Sequence, residues 1–300
     1  MAESEEIAVE AAGTSMGITN LPPDVLDAIA RKLPVAAYSN VIGATGLELG
    51  SLETVEFESD QLTLPGNESI VDTIKRVIGL STIKLSLTGN RLNTVNQDSC
   101  HITDVAFIEI IQLALNLEVL ILKHMRHLMR LEIISKLHNL RILDLTNCRN
   151  LLFSSLLDII EGCPNLEELT LMNCKMLHNC DLTCIGKLTK LTKLSLWGIH
   201  TIPGEMVINI IKNCPLIRSL NLRFLISLVG ADIEAISQIL PNLEELDIGY
   251  NVKLEIADAA ILMNFRNLKL LGVREIKIKN EHLGAFIEQN PQCRISFESN

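Results

Sequence analysis

Three hundred residues, 48% apolar, 21% charged and 3% aromatic, describe a globular chain rather than a disordered one. The net charge of −10 sits at the start: residues 1–68 carry twelve carboxylates against Arg31 and Lys32, and the remainder balances at 24 acids and 24 bases. That balance offers no phosphate-neutralising excess for nucleic acid, no run approaches the roughly 20 apolar residues needed to cross a bilayer, and the acidic opening is unlike a leader peptide, so the expected location is cytosol or nucleus.

Residues 1–17, acidic and rich in Ala, Gly, Ser and Thr, read as a disordered tail. The segment ITNLPPDVLDAIARKLP, residues 18–34, reads as a helix. Pro22 and Pro23 suit a first helical turn, Asp24 complements its positive end, and Val25, Leu26, Ile29 and Leu33 make an apolar stripe. Residues 35–50 complete a short N-terminal segment, 18–50, and the chain reaches its first repeat strand by Leu52.

From there the chain repeats itself. NLEVLILKHM, NLRILDLTNC, NLEELTLMNC, KLTKLSLWGI, LIRSLNLRFL, NLEELDIGYN and NLKLLGVREI share one LxxLxL template, anchored at Leu117, Leu140, Leu166, Leu191, Ile217, Leu243 and Leu268. Weaker copies stand at Leu52, Thr82 and Gln292, which makes about ten units over residues 51–300. The LxL core alternates with period two, as a strand with one buried face does, and the stretches between copies follow a helical period. SSLLDIIEGC, GEMVINIIKNC, ADIEAISQIL and ADAAILMNF are the clearest, several opening at a capping residue and several stopping before proline. A strand–turn–helix unit cannot bury its own apolar side, so the units must stack with their strands parallel. The interval from Thr82 to Leu117 is about ten residues longer than the period and includes LNTVNQDSCHI, an insertion expected on one rim.

These repeats resemble leucine-rich repeats of the helix-containing kind, and EGCPNLEELTLMNC and KNCPLIRSLNLRFL are most similar to the cysteine-containing subclass found in F-box proteins. The resemblance implies an α/β solenoid with a parallel concave sheet and convex helices. Residues 18–34, opening and closing on Leu-Pro, resemble the start of an F-box, which implies a helix that docks on the Skp-type adaptor of a cullin-RING ubiquitin ligase. By position, Leu21, Pro22, Val25, Leu26, Ile29, Leu33 and Pro34 would be the adaptor contacts. The segment departs from the family after Pro34, where further helices and an aromatic usually follow. The alternative is a cap covering the apolar end of the first repeat.

Other chemistry is sparse. Cys174, His178, Cys180 and Cys184 fall within eleven residues, but without a CxxC spacing zinc is set aside in favour of burial, and no disulfide or cofactor is expected. No GxxxxGK, GxGxxG, HExxH or GxSxG motif occurs, the seven histidines read as scattered surface residues, and an enzyme is not expected. The repeat instead designates an open sheet face. The row after the final leucine reads Lys123, Thr146, Met172, Trp197, Arg223, Gly249 and Arg274; the middle row includes Ser195, Asn221 and Asp247. Trp197, the only tryptophan, flanked by Met172 and Arg223, is the expected hot spot for a protein partner. The glycines beside Asp247 are expected to leave room for an anionic group. The implied function is a ligase substrate receptor, with a plain binding scaffold or a GTPase-activating repeat protein as alternatives, the last lacking an identifiable rim arginine.

Overall fold

The computed structural model describes residues 54–57, 74–75, 78, 82–89, 102–256, 259–278 and 280–297. The tail, the F-box-like segment with all seven expected adaptor contacts, residues 35–50 and most of the insertion before Ile102 lie outside the described residues. The chain divides into two compact units, Met1–Leu120 and Ile121–Asn300.

In the first unit, β1 (Thr54–Phe57) and β2 (Lys84–Thr88) pair in parallel, Val55 opposite Leu85 and Phe57 opposite Leu87. Helix α1 (Asp104–Leu113) is capped by Thr103, whose hydroxyl accepts the Ala106 amide at 3.3 Å, and it buries Ala106, Phe107, Ile110 and Ile111. The amides of Glu118 and Val119 donate to the Ile83 carbonyl at 2.8 and 3.0 Å, aligning the start of β3 (Val119–Lys123) with the strand before it.

The second unit is built on short parallel strands: β4 (Ile142–Asp144), β5 (Glu168–Thr170), β6 (Lys193–Ser195), β7 (Ser219–Asn221), β8 (Glu245–Asp247), β10 (Leu270–Gly272) and β12 (Arg294–Ser296), adjacent in that order. A second, two-stranded parallel sheet pairs β9 (Glu255–Ile256) with β11 (Lys277–Ile278). The register reproduces the sequence template residue for residue: Leu143, Leu169, Leu194, Leu220, Leu246, Leu271 and Ile295 face one another in succession. All but the last are within 1% of complete burial. Shifting any strand by one residue would turn its leucines to solvent, so burial itself fixes the register.

The return segments are less uniform than expected. α2 (Phe153–Gly162), α3 (Gly204–Lys212), α4 (Gly230–Ile239), α5 (Ala259–Met263) and α6 (Asn280–Gln289) are helical, but Leu131–Lys136, Lys175–Leu177 and Leu182–Lys187 are 3₁₀ turns. These turns occupy the 23- and 25-residue intervals that begin at Leu117 and Leu166. A 3₁₀ turn rises about 2.0 Å per residue against about 1.5 Å for an α-helix, so either form can span the layer, and interval length alone does not choose between them, since the equally short intervals that begin at Leu243 and Leu268 carry α5 and α6. Capping also differs: α2 and α3 follow Leu152 and Pro203 with no side-chain cap, while at α4 the Asp232 carboxylate reaches back to accept the Val229 amide at 2.9 Å.

Candidate functional site

Strands β3 to β8 and β10 end in the same turn, and that turn positions the candidate residues. Two places after the final leucine stand His124, Asn147, Asn173, Gly198, Phe224, Tyr250 and Glu275, all with φ between 56° and 77°. This left-handed conformation suits glycine and asparagine and is costly for a large side chain. It is held by a backbone ladder: the amides of Asn147, Asn173, Gly198, Phe224 and Tyr250 donate to the carbonyls of Met172, Trp197, Arg223, Gly249 and Arg274 at 2.7–3.1 Å. Middle-row side chains close the turn from below. Asp144, Asn221 and Asp247 accept the amides of Thr146, Arg223 and Gly249 at 2.9, 3.2 and 3.0 Å. Asn221 and Asp247 are therefore partly committed to the turn.

One residue further on, the chain turns inward to a buried donor. Cys148 and Cys174 direct Sγ at the carbonyls of Leu122 and Leu145, 3.0 and 3.1 Å away, and Asn251 Nδ2 donates to Leu222 and Ile248 at 2.9 and 2.7 Å. Cys163 and Cys214, three residues before their anchors, approach the carbonyls of Ile134 and Leu188 at 3.4 Å each. The periodic cysteines thus join neighbouring repeats as well as filling space. Burial pushes their thiols up, to about 12 for Cys163 and about 11 for Cys214. Of the four residues weighed for zinc, Cys174 is bonded into this ladder and His178 Nε2 meets the Gly198 carbonyl at 3.2 Å. Among the described residues no group of three or more His, Cys, Asp or Glu is arranged to hold a metal ion.

On the open face the expected row resolves into one cluster and several separate residues. Arg223 is not exposed, as its outward strand position implies, but 3% accessible. Its guanidinium lies 4.4 Å from the Trp197 ring centroid and 5.1 Å from that of Tyr250, and Nη1 meets Asp247 Oδ2 at 3.4 Å. Trp197 is half-buried because that guanidinium covers one of its faces. Arg274 sits over the other neighbour, 5.3 Å from the Tyr250 ring. The space expected beside Gly249 and Gly272 is occupied by Asp247: a Cβ on Gly272 would lie 2.5 Å from its carboxylate carbon. Only glycine lets Asp247 lean there. Burial pushes the Asp247 carboxyl up, and the Gly249 amide and Arg223 offset this in part.

Trp197, Arg223, Asp247 and Arg274 are thus brought together. Met172 is half-buried on the strand before Trp197, Ser195 is buried at 8%, and Thr146 at 3%. Lys123 stands apart and pairs with Asp144 at 3.5 Å. Sequence reasoning missed the rings beside the cluster: Phe224 stacks on Tyr250 at 4.4 Å and 6°, His200 meets Phe224 edge-on at 6.1 Å, and His178 meets His200 at 5.5 Å. Two of the histidines, His178 and His200, thus continue this ring row. The available signal was that Phe224 and Tyr250 replace Gly or Asn at the left-handed turn position. Chemically the surface offers aromatic faces, a thioether and one outer guanidinium around a buried ion pair, a composition suited to holding a partner.

No protein-family model and no curated protein matches the chain. Solved structures do. The chain is similar to the yeast Rad7–Elc1 complex structure, with a TM-score of 0.53 and 14% identity over 98% of this chain and 94% of the other. It also matches a leucine-rich-repeat protein of Leptospira interrogans (TM-score 0.44, 22% identity, 86% and 68% covered) and an internalin of Listeria monocytogenes (0.43, 14%, 91% and 86%). With the repeat, the register and the return segments described above, the fold is an α/β leucine-rich-repeat solenoid.

Proposed function

We propose that this chain is a protein-binding solenoid that serves as the substrate-recognition subunit of a cullin-RING ubiquitin ligase, with residues 18–50 engaging the Skp-type adaptor and the open sheet face holding the target. The observation that carries the binding half is the Trp197–Arg223–Tyr250 stack. Two aromatic rings clamp a guanidinium that is itself paired with Asp247, leaving a rigid face whose outer edges, with Met172 and Arg274, are available to a partner. Rigid aromatic and arginine anchors concentrate binding energy because little side-chain freedom remains to be lost. The ligase half rests on the Leu-Pro-bracketed segment and the cysteine-bearing repeats. That a similar fold, Rad7, was crystallised with a second protein, Elc1, accords with it. On this reading the chain positions a target and performs no chemistry, needs no cofactor, and acts in cytosol or nucleus without nucleic acid or membrane.

The test is a pull-down with purified Skp-type adaptor, comparing the native chain with Leu26→Asp and Ile29→Asp. Retention of the native chain and loss of both variants supports adaptor docking. Equal absence of binding in all three removes the ligase and leaves a scaffold whose N-terminal helix is a cap.

A further inference from the structure

The open face carries one charge more than it compensates. Arg223 and Arg274 stand against the same ring, their guanidinium carbons 5.1 and 5.3 Å from the Tyr250 centroid. Asp247 is the one carboxylate that pairs with either of them among the described residues. That pair is loose, with Nη1 3.4 Å from Oδ2, and Arg223, only 3% accessible, has its Nε shielded from solvent with no hydrogen bond. Arg274 is half-buried, and Glu275, its exposed chain neighbour, makes no ion pair with it. Glu245, on the strand between, is engaged by the Ser219 hydroxyl at 2.7 Å. Two guanidiniums and one carboxylate therefore leave a single positive charge on a partly desolvated surface, an arrangement that is unfavourable until an anion completes it. The room beside Gly272 is taken by Asp247, so that anion has to come from the outer side, where the Arg274 guanidinium lies against Tyr250.

We infer that the open face takes its protein partner by an acidic residue: one Asp or Glu carboxylate of an extended segment seats on Arg274 beside Arg223, while an apolar residue of the same segment rests on Met172 and the edge of Trp197. This rests on the reading of that face as the target-binding surface and does not depend on the ligase role. A planar guanidinium presents paired donors that match the two oxygens of a carboxylate. One carboxylate cancels the one surplus charge, whereas a phosphate monoester, with about −1.5 to −2, overshoots it and meets the Asp247 carboxylate at close range. Met172 and Arg223 follow β5 and β7, two strands apart. At roughly 4.8 Å per strand that is about 10 Å, which an extended segment covers in about three residues, so the apolar and acidic residues stand three positions apart.

The experiment titrates the full chain at constant ionic strength with acetyl-Gly-Phe-Gly-Gly-Glu-Gly-amide, and with the same peptide carrying glutamine or phosphoserine in place of glutamate. Binding is followed by the fluorescence of Trp197, the only tryptophan, and by the proton NMR lines of the peptide. Arg274→Gln is compared with Lys212→Gln, an exposed lysine at the end of α3, and far-UV circular dichroism verifies folding. Losing a charge-assisted contact corresponds to about a tenfold or greater loss of affinity. The expected result is saturable binding of the glutamate peptide, weakened about tenfold by Arg274→Gln or by glutamine in the peptide and unaltered by Lys212→Gln, with the glutamine peptide indifferent to Arg274→Gln. Equal binding of the glutamate and glutamine peptides overturns the acid preference and leaves the face a binding surface; no saturable response to any of the three peptides overturns that reading as well. Tighter binding of the phosphoserine peptide, or equal weakening by Lys212→Gln, also overturns the inference.

Discussion

Replacing Arg223 with alanine tests whether the open face is built or merely exposed. A residue that only projects from a strand would be removed at almost no cost in stability. Arg223 is instead 3% accessible, between two rings at 4.4 and 5.1 Å, and paired with Asp247 at 3.4 Å. Each desolvated cation–π contact contributes roughly 0.5–2 kcal/mol. Breaking a fully buried ion pair costs about 3–5 kcal/mol, a figure to be reduced here because the Asp247 side chain retains 27% exposure. The expected loss is about 2–4 kcal/mol. The assay is urea unfolding followed by the fluorescence of Trp197, the only tryptophan and the ring Arg223 covers. With a slope near 3 kcal/mol per molar, the midpoint falls by roughly 1 M. The pH dependence gives a second handle. Asp247 already has a raised pKa from burial, and removing its cation raises it further. A protonated Asp247 needs no counter-charge, so the penalty is largest above the Asp247 pKa and shrinks as pH falls through it. A midpoint change corresponding to less than about 0.5 kcal/mol at neutral pH, the range of an ordinary surface substitution, would refute the buried-stack account.

Other consequences follow from the same geometry. Asn251→Leu removes the donor to two buried carbonyls and should cost about 2–4 kcal/mol in urea melts, whereas Asn251→Asp, which keeps the size and loses the donor, should do no better. Brief alkylation of the native chain at mildly alkaline pH, mapped by mass spectrometry, should spare Cys148, Cys163, Cys174 and Cys214, whose thiols burial holds above the ordinary range, and label the half-buried Cys180 before them; early labelling of Cys174 would contradict the ladder. Glu275→Gly should raise the melting temperature slightly, because an exposed side chain at φ 57° carries about 1–2 kcal/mol of strain that the greater freedom of unfolded glycine offsets only in part. Trp197→Ala should weaken partner capture about thirtyfold or more, as removal of a central aromatic anchor does, while leaving adaptor binding unaltered.

How much of this was legible in the chain depends on the range of the interaction that decides each feature. The strands were, because a buried LxL core is a local pattern: Leu143, Leu169, Leu194 and Leu220 occupy equivalent rungs as their spacing required. The α-helices were legible for the same reason. The 3₁₀ returns were not, since the apolar residues of Leu131–Lys136 suit either helix and their spacing does not choose between them. The periodic thiols were read correctly as buried, but their second role, reaching a carbonyl about 26–29 residues earlier, depends on the neighbouring repeat and has no local trace.

The binding face exposes the limit of strand alternation most clearly. Alternation says which way a side chain leaves the sheet; it does not say whether the space above is empty. Arg223 leaves toward solvent and is nonetheless buried, because Trp197 and Tyr250 from the repeats on either side close over it and Gly272 allows Asp247 to fold in beneath. Tyr250 reaches that position only from a left-handed turn, at φ 60°, a conformation better suited to the Asn147, Asn173 and Gly198 of the same column. A large aromatic in such a place is costly to the isolated turn, so the ring stack must return more than the strain removes. Phe224, at φ 58°, bears the same cost and recovers it in the parallel stack on Tyr250. Of the four turns that carry neither Gly nor Asn, at His124, Phe224, Tyr250 and Glu275, the two on adjacent repeats with their rings in contact are a coordinated deviation, and it is there, rather than at the row of outward residues as a whole, that the proposed partner-binding face is best sought.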